Sequence, residues 1–227
     1  MEEAGFLVVG AQEQRTRKPD GTPTRKHLIR FAHRDVLEHN RDQRIEVVMI
    51  NSHNGSCSYQ LMAGIFRLVC TNGLIVGARI AAINIRHMGH TGEDVIAASL
   101  RLASETPRIM DDIRRMQGVE LPYKRQVDFV HEAARLRLGD DYEGRIRPEA
   151  LLSPRRWNDI GFTAGGPATV WQCFNRVQEN LIQGGVPLKP QKDGVRRRSL
   201  LALNGIDGNT RLNRELWDLA DSYTLNN

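Results

Sequence analysis

The sequence predicts an α+β fold in which an antiparallel sheet from the N-terminal half packs with helices from the C-terminal half. Three observations predict it. Short β-branched segments precede residue 86, turn sequences containing glycine separate them, and segments with apolar residues at 3.6-residue spacing follow residue 91. We assign residues 1–184 to one α+β core domain. Residues 185–227, a basic linker and a last helix, are expected to belong to the same domain.

The first strands are predicted to form hairpins. Strand-like sequence at 6–9 and at 26–32 flanks RTRKPDGTPTRKH, and the Pro-Asp-Gly at its centre is typical of a tight turn. This places basic residues at the tip of the first hairpin. A third strand, EVVMIN at 46–51, is compact and β-branched, and the Asn54-Gly55 that follows suits a turn into a returning segment.

The returning segment allows two structures. Apolar residues at 61, 65, 68 and 69 fit one face of a helix, and the run 65–69 equally fits a buried strand. Asn72-Gly73 then marks either a helix C-cap or a turn. LIVGARIAAINI at 74–85 predicts one long strand in which Gly77 could form a bulge.

The C-terminal half predicts helices. Their ranges are 91–117, split or kinked at Pro107, then 127–138, ended by Gly139, then 167–182, with Pro167 in the first turn, and finally 209–223. Residues 139–166 are predicted to be loops with short turns. The tryptophans of the last two helices, Trp171 and Trp217, are expected in the core.

The positive charge of the chain is concentrated in two segments. The net charge is +5, with residues 14–30 and residues 185–214 each contributing +5 and the long middle nearly neutral. Basic loops on a balanced body favour a polyanionic partner. Arginine outnumbers lysine by 27 to 5, and its planar guanidinium suits phosphate and base stacking.

These segments supply the candidate contacts to nucleic acid. The hairpin and the linker are expected to hold phosphates. PRRW at 154–157 would combine a charged contact with base stacking. The glycine-containing loop before the last helix, followed by an arginine, could hold a further phosphate. The candidates are Arg15, Arg17, Lys18, Arg25, Lys26, Arg155, Arg156, Trp157, Lys189, Lys192, Arg196, Arg197, Arg198 and Arg211.

Several motifs resemble a family of phage- and plasmid-like proteins built on a domain of unknown function, found in prophages and conjugative elements. They are the turn His53-Asn54-Gly55-Ser56, the segment FRLVCTNG at 66–73, HMGHTGEDVIAASLRL at 87–102, and WQCFN at 171–175. The likeness spans most of residues 6–182, and this chain has Asn54 where aspartate is common. The resemblance implies a mobile-element origin and an intracellular protein, and it brings no established activity.

The function predicted from these observations is non-enzymatic binding of nucleic acid, with single-stranded DNA favoured, in recombination or strand annealing of a phage or other mobile element. A first alternative is an interaction protein that inhibits a host defence or DNA-processing enzyme through its basic loops. The partners expected are therefore nucleic acid, a host protein, or further copies of the chain in a homo-oligomer.

A second alternative is an enzyme. Cys70 could pair with His53 if their segments are adjacent, and His87 and His90, with Glu93 and Asp94 nearby, could bind zinc. Both patterns are more typical of structural turns. With no P-loop and no dinucleotide-binding glycine motif in the sequence, we predict no cofactor and no metal.

The expected location is the cytoplasm of a bacterial host. The three cysteines, Cys57, Cys70 and Cys173, have no CxxC spacing and are expected to be buried thiols of a reducing compartment. MEEAGFLVVG opens with two acids and does not resemble a secretory signal. The apolar runs are far shorter than the roughly 18 residues of a membrane span, so no membrane partner is expected.

Overall fold

The protein is described by a computed structural model over residues 6–17, 23–33, 43–52, 59–67, 73–75, 82–85, 93, 96–97, 100–101, 104, 106–139, 142, 145–155, 164–189 and 199–226. An antiparallel sheet occupies its N-terminal part and helices predominate after it, so the α+β class is confirmed. The chain divides into two compact units, Met1–Ile109 and Met110–Asn227. The boundary placed at residue 184 stays a prediction.

The sheet of the first unit is antiparallel throughout its described pairs. Its strands are β1 (Phe6–Arg17), β2 (Pro23–His33), β3 (Gln43–Ser52), β4 (Tyr59–Arg67), β5 (Gly73–Ile75) and β6 (Ala82–Ile85). The order is β1-β2-β3-β4-β5, and β6 also pairs with β4. The first hairpin is confirmed, because β1 and β2 stay paired out to Arg17 opposite Pro23. Residues 18–22, which hold the Pro-Asp-Gly turn, lie outside the described residues.

Pairing with β3 decides the structure of the returning segment. Tyr59–Arg67 is a strand, with Ile50 opposite Gln60, so the helical alternative for this segment is excluded. The two Asn-Gly turns fall at residues 53–58 and 68–72, which the structure does not describe, apart from Gly73 in β5.

The prediction of one long strand over residues 74–85 is wrong. Two strands take its place, since Ile75 pairs with Gly64 while Ala82 pairs with Met62. Ile75 and Ala82 are seven residues apart in the chain, but their partners on β4, Gly64 and Met62, are only two residues apart. The sequence signal for the interruption was Gly77, within the stretch that separates the two strands.

A charged pair lies within the first three strands. The Arg30 guanidinium reaches the buried carboxylate of Glu46, with 3.6 Å between Nε and Oε2. Gly10 is opposite Arg30, next to a bulge in β1, and a Cβ at Gly10 would lie 2.5–2.9 Å from the guanidinium atoms. The missing side chain of Gly10 thus leaves the space that the guanidinium occupies.

Replacing Gly10 with alanine is expected to lower the free energy of unfolding by about 1–3 kcal/mol, because the guanidinium must move away from a buried carboxylate. Urea denaturation followed by circular dichroism measures this. In an Arg30→Met background the same replacement should cost much less, since no guanidinium is left to displace. An equal cost of Gly10→Ala in both backgrounds would contradict the role given to this glycine.

Helices make up most of the second unit. The helices with described bounds are α1 (Thr106–Gly118), which crosses the division between the units, α2 (Tyr123–Leu138), α3 (Pro148–Leu152), α4 (Val170–Gln183) and α5 (Ile206–Leu225). A two-stranded pair joins β7 (Glu120–Leu121) to β8 (Ala168–Thr169). The described residues between 93 and 104 are helical as well, in agreement with the prediction for 91–117.

Helix starts differ from their predicted positions. The third predicted helix begins at Val170, because Thr169 and Gln172 form a reciprocal capping box and Pro167 lies before it. α2 starts four residues earlier than predicted, directly after Pro122, and α5 starts three residues earlier. Residues 139–166, predicted as loops, contain α3, whose first residue is Pro148.

Helix α4 is the centre of the second unit. Twelve of its fourteen residues are buried, including five polar or charged ones. The Nε2 of Gln178 donates to Oδ1 of Asn213 on α5 at 2.7 Å, and Nδ2 of Asn213 donates to the carbonyl of Asn209 at 2.9 Å. Since buried amides are stable only when they are hydrogen-bonded, this network fixes how α4 and α5 face each other.

Candidate nucleic-acid interface

The outer part of the β1–β2 hairpin carries arginines that face one another. Arg15 and Arg25 are directly opposite in the register, an arrangement that is unfavourable for like charges. Glu13 relieves it, because its carboxylate accepts a 3.0 Å hydrogen bond from Nη2 of Arg15 and lies 3.7 Å from Nε of Arg25. The hydrogen bond from Arg15 holds the pKa of Glu13 below its ordinary value. One carboxylate therefore serves two cations, and a net positive charge remains.

The other hairpin candidates have known places in the sheet. Lys26 pairs with Gln14 on one side and Ser52 on the other, so it is an interior position of the sheet. Arg17 is the last residue of β1. These residues share the hairpin with Arg15 and Arg25, as predicted. Whether they bind nucleic acid stays a prediction.

In the second unit, three extended segments lie side by side. Ile146 forms a bridge with Leu188, and Pro187 forms one with Ser199. The N–H of Lys189 donates to the carbonyl of Arg145 at 2.7 Å. The basic stretch 190–198 therefore lies between Lys189, which is next to the segment that leads into α3, and Ser199, which is next to Pro187.

A cleft of about 850 Å³ opens beside these segments. Its charged lining residues are Arg147, Glu149 and Lys189, and its apolar lining comes from Ala150, Pro187 and Leu188. Among the described residues no carboxylate forms a direct ion pair with Arg147 or Lys189. The cleft thus combines two cations, one anion and an apolar wall.

Glu149 is held in place within the cleft. The Tyr123 hydroxyl donates to Oε1 of Glu149 at 2.9 Å. The backbone N–H of Glu149 and then this hydroxyl lower the pKa of the carboxyl group, and the charges of Arg147 and Lys189 act in the same direction. The carboxylate is therefore ionised at neutral pH and can only accept hydrogen bonds.

Two predicted contacts are occupied by bonds within the protein. Nη1 of Arg155 donates to the carbonyl of Gly184 at 2.7 Å and to Oδ1 of Asn180 at 3.3 Å, at the C-terminal end of α4. Nη1 of Arg211 donates to both carboxylate oxygens of Glu215, at 3.1 Å to Oε1 and 3.0 Å to Oε2. Because α5 begins at Ile206, Arg211 is the sixth residue of this helix and lies in its second turn.

Other candidates lie outside the described residues. The nucleic-acid candidates among them are Lys18, Arg156, Trp157, Lys192, Arg196, Arg197 and Arg198. The enzyme candidates among them are His53, Cys70, His87, His90 and Asp94. The structure therefore tests neither set.

Two of the expectations that concern the enzyme alternative fall on described residues. Cys173 is fully buried, and burial raises the pKa of its thiol to about 12, as expected for a structural thiol. Within the described residues no three of the side chains His, Cys, Asp and Glu cluster as a metal site. Trp171 and Trp217 are buried, which confirms their assignment to the core.

Arg147 and Glu149 were missed by the sequence interpretation. They lie in a region predicted as loops. The bridge between Ile146 and Leu188, which are 42 positions apart in the chain, brings them next to Lys189. One signal was present: IRPEALLSPRR at 146–156 has a proline that suits a helix start, with basic residues on both sides.

Comparison with known proteins gives the family. The model of a family described as "Domain of unknown function (DUF932)" matches residues 4–217. Two proteins of Escherichia coli (strain K12), UPF0380 protein YafZ and UPF0380 protein YfjQ, are each 32% identical to this chain over 222 residues, which cover 98% of this chain and 77% of the relative. No solved structure matches it. None of the described helices combines the length and the apolarity needed to cross a membrane. Because the family match spans nearly the whole chain, as the likeness to a domain of unknown function predicts, the chain belongs to the DUF932 family.

Proposed function

We propose that this chain is a non-enzymatic protein of a phage or other mobile element that binds single-stranded DNA in the cytoplasm of a bacterial host. The observation that carries the proposal is the pair Arg147 and Lys189, which line one cleft without a direct ion pair to any described carboxylate. Cations that form no direct ion pair are available to phosphates, and the cleft keeps one positive charge more than Glu149 can balance.

The neighbouring sequence strengthens this electrostatic argument. The stretch 190–198 contains Lys192, Arg196, Arg197 and Arg198 against one acid, Asp193. Of the described residues that flank it, Lys189 lines the cleft and Ser199 pairs with the lining residue Pro187. The hairpin of the first unit supplies a second set of cations. Several phosphates of one strand could thus be neutralised, which is the main source of affinity for nucleic acid.

The cleft favours a single strand over a duplex. Its wall of Ala150, Pro187 and Leu188 offers apolar contact to a base. In a duplex the base faces are covered by stacking and the edges by pairing, so only an unpaired base can enter a cleft. A strand held in this way keeps its other bases accessible, which suits recombination or annealing.

The mobile-element part of the proposal comes from the motifs. The turn His53–Ser56 and the segment Phe66–Gly73 resemble those of prophage and conjugative-element proteins. The two E. coli relatives carry names that state no activity, and they add nothing on this point.

The proposal is tested by fluorescence anisotropy of labelled single- and double-stranded DNA of equal length across a salt series. We expect the single strand to bind more tightly. Replacing both Arg147 and Lys189 with glutamine should weaken its binding about tenfold or more and reduce the slope of log affinity against log salt by about 1.4, at roughly 0.7 per contact.

A matched variant controls for total charge. The double variant Arg114→Gln, Arg135→Gln also removes two positive charges, but from exposed helix positions. Arg135 is twelve residues beyond Tyr123 on α2, about 18 Å along the helix. Equal losses in both double variants would show non-specific attraction only. No binding to either DNA at low salt would overturn the proposal and favour a protein partner for the basic loops.

A further inference from the structure

We infer that the cleft selects one unstacked nucleotide whose base carries an exocyclic amino group, and that Glu149 is the residue that reads it. The inference rests on the proposed function, because it concerns the same bound strand. It adds a base preference, which phosphate contacts alone cannot provide.

The cleft combines charges of both signs. A site built only for phosphate would exclude carboxylates, yet Glu149 lies in the same lining as Arg147 and Lys189. A ligand that satisfies all three side chains needs an anionic part and a hydrogen-bond donor. A nucleotide has both, with the phosphate as anion and the amino group of its base as donor.

The carboxylate of Glu149 is held in place and can still accept hydrogen bonds. The Tyr123 hydroxyl holds Oε1 at 2.9 Å, and among the described residues the backbone N–H of Glu149 is the other donor to this carboxylate. An ionised carboxylate offers about four acceptor positions, so about two remain for a ligand. The side chain is thus oriented before the strand binds, which lowers the entropic cost of recognition.

The bases differ in the groups that they present to a carboxylate. Cytosine and adenine present an amino group to an acceptor, and guanine presents an amino group beside a ring N–H. Thymine and uracil present one ring N–H between two carbonyl oxygens, which an ionised carboxylate repels. The apolar wall of Ala150, Pro187 and Leu188 accepts any base face, so selection falls to Glu149.

The experiment compares oligonucleotides of dC, dU and dT at equal length and at slightly alkaline pH. The dU strand differs from dC in the groups that Glu149 would read, and dT shows the effect of the methyl group. We expect dC to bind the wild-type protein about fivefold or more tightly than dU. Glu149→Gln should bring this ratio close to one while keeping or raising the affinity for dU, since a negative charge beside the strand is lost.

Glu132→Gln is the matched control. Glu132 also accepts a hydrogen bond from a tyrosine hydroxyl, that of Tyr223 at 2.7 Å, and it is not among the residues that line the cleft. This variant should keep the wild-type ratio of dC to dU. Thermal unfolding of each variant shows that it is folded before binding is compared.

The outcomes separate the two proposals. Tight, salt-sensitive binding with equal affinity for dC and dU would overturn the base preference and leave single-strand binding standing. A preference for dC that survives in Glu149→Gln would overturn the role of this carboxylate. Absence of binding to all three strands at low salt would overturn both.

Discussion

Replacing Gly184 with alanine is expected to lower the free energy of unfolding of the second unit by about 4 kcal/mol or more. Gly184 ends α4 with a φ of +67° and a ψ of −151°, a region that is almost restricted to glycine. A Cβ there would lie 2.5 Å from the carbonyl oxygen of Leu200 and 2.6 Å from the backbone nitrogen of Ala202. Because these are backbone atoms, the chain after Ser199 would have to move. Urea denaturation followed by tryptophan fluorescence measures the loss, since all three tryptophans belong to this unit.

Gly139 provides the matched control. It ends α2 with a similar backbone, φ +78° and ψ −171°, but a Cβ there would meet nothing within 4 Å. Gly139→Ala should therefore cost only the backbone strain, about 1–3 kcal/mol. The difference between the two variants is the cost of the close approach. Equal losses at both glycines would show that the contact with Leu200 is relieved easily.

Replacing Phe174 with alanine is expected to cost about 3–5 kcal/mol in the same measurement, as is usual for truncation of a buried aromatic ring. Phe174 is fully buried on α4. Its ring stacks on Trp171 at 5.6 Å and meets the edge of Trp217 on α5 at 5.9 Å. Truncation would leave a cavity between the two helices and remove both ring contacts.

Leu225→Ala is the control for this variant. Leu225 is the last residue of α5 and is 64% exposed, so its truncation should change the free energy of unfolding by about 0.5 kcal/mol or less. Phe174→Leu should fall between the two, because leucine fills part of the space. A loss for Phe174→Ala no larger than that for Leu225→Ala would contradict the central place given to α4.

The fold was predictable where local signals agree with long-range pairing. β1, β2 and β3 have β-branched sequences, and their antiparallel register agrees with the hairpin that the sequence predicts for the first two. The residues of β4 fitted two periods equally well, and only the register with β3 decides between them. At the start of α4 two local signals competed: Pro167 suits a first turn, but Thr169 and Gln172 satisfy two backbone groups reciprocally, which is the stronger constraint.

Of the candidate nucleic-acid interface, the sequence predicts only that positive charge is concentrated in two segments. The two basic segments follow from counting residues, and Lys189, at the edge of the second one, does line the cleft. Arg147 and Glu149 could not be placed, because no periodicity relates residue 146 to residue 188. The pairing of Arg15 and Arg25 with Glu13, and of Arg211 with Glu215, was equally hidden, although it determines which cations are left for a ligand.

The bridge between Pro187 and Ser199 affects which changes of sequence the second unit can accept without loss of stability. The two bridged residues lie on either side of the nine-residue stretch 190–198. The pairing that holds the flanking segments together is therefore formed by residues outside the stretch. Doubling the length of a closed loop costs only about 0.6 kcal/mol. Insertions, deletions and changes of charge in this stretch are therefore cheap for folding. Natural selection or a protein engineer could therefore alter the charge of this stretch while leaving the helices of the second unit unchanged.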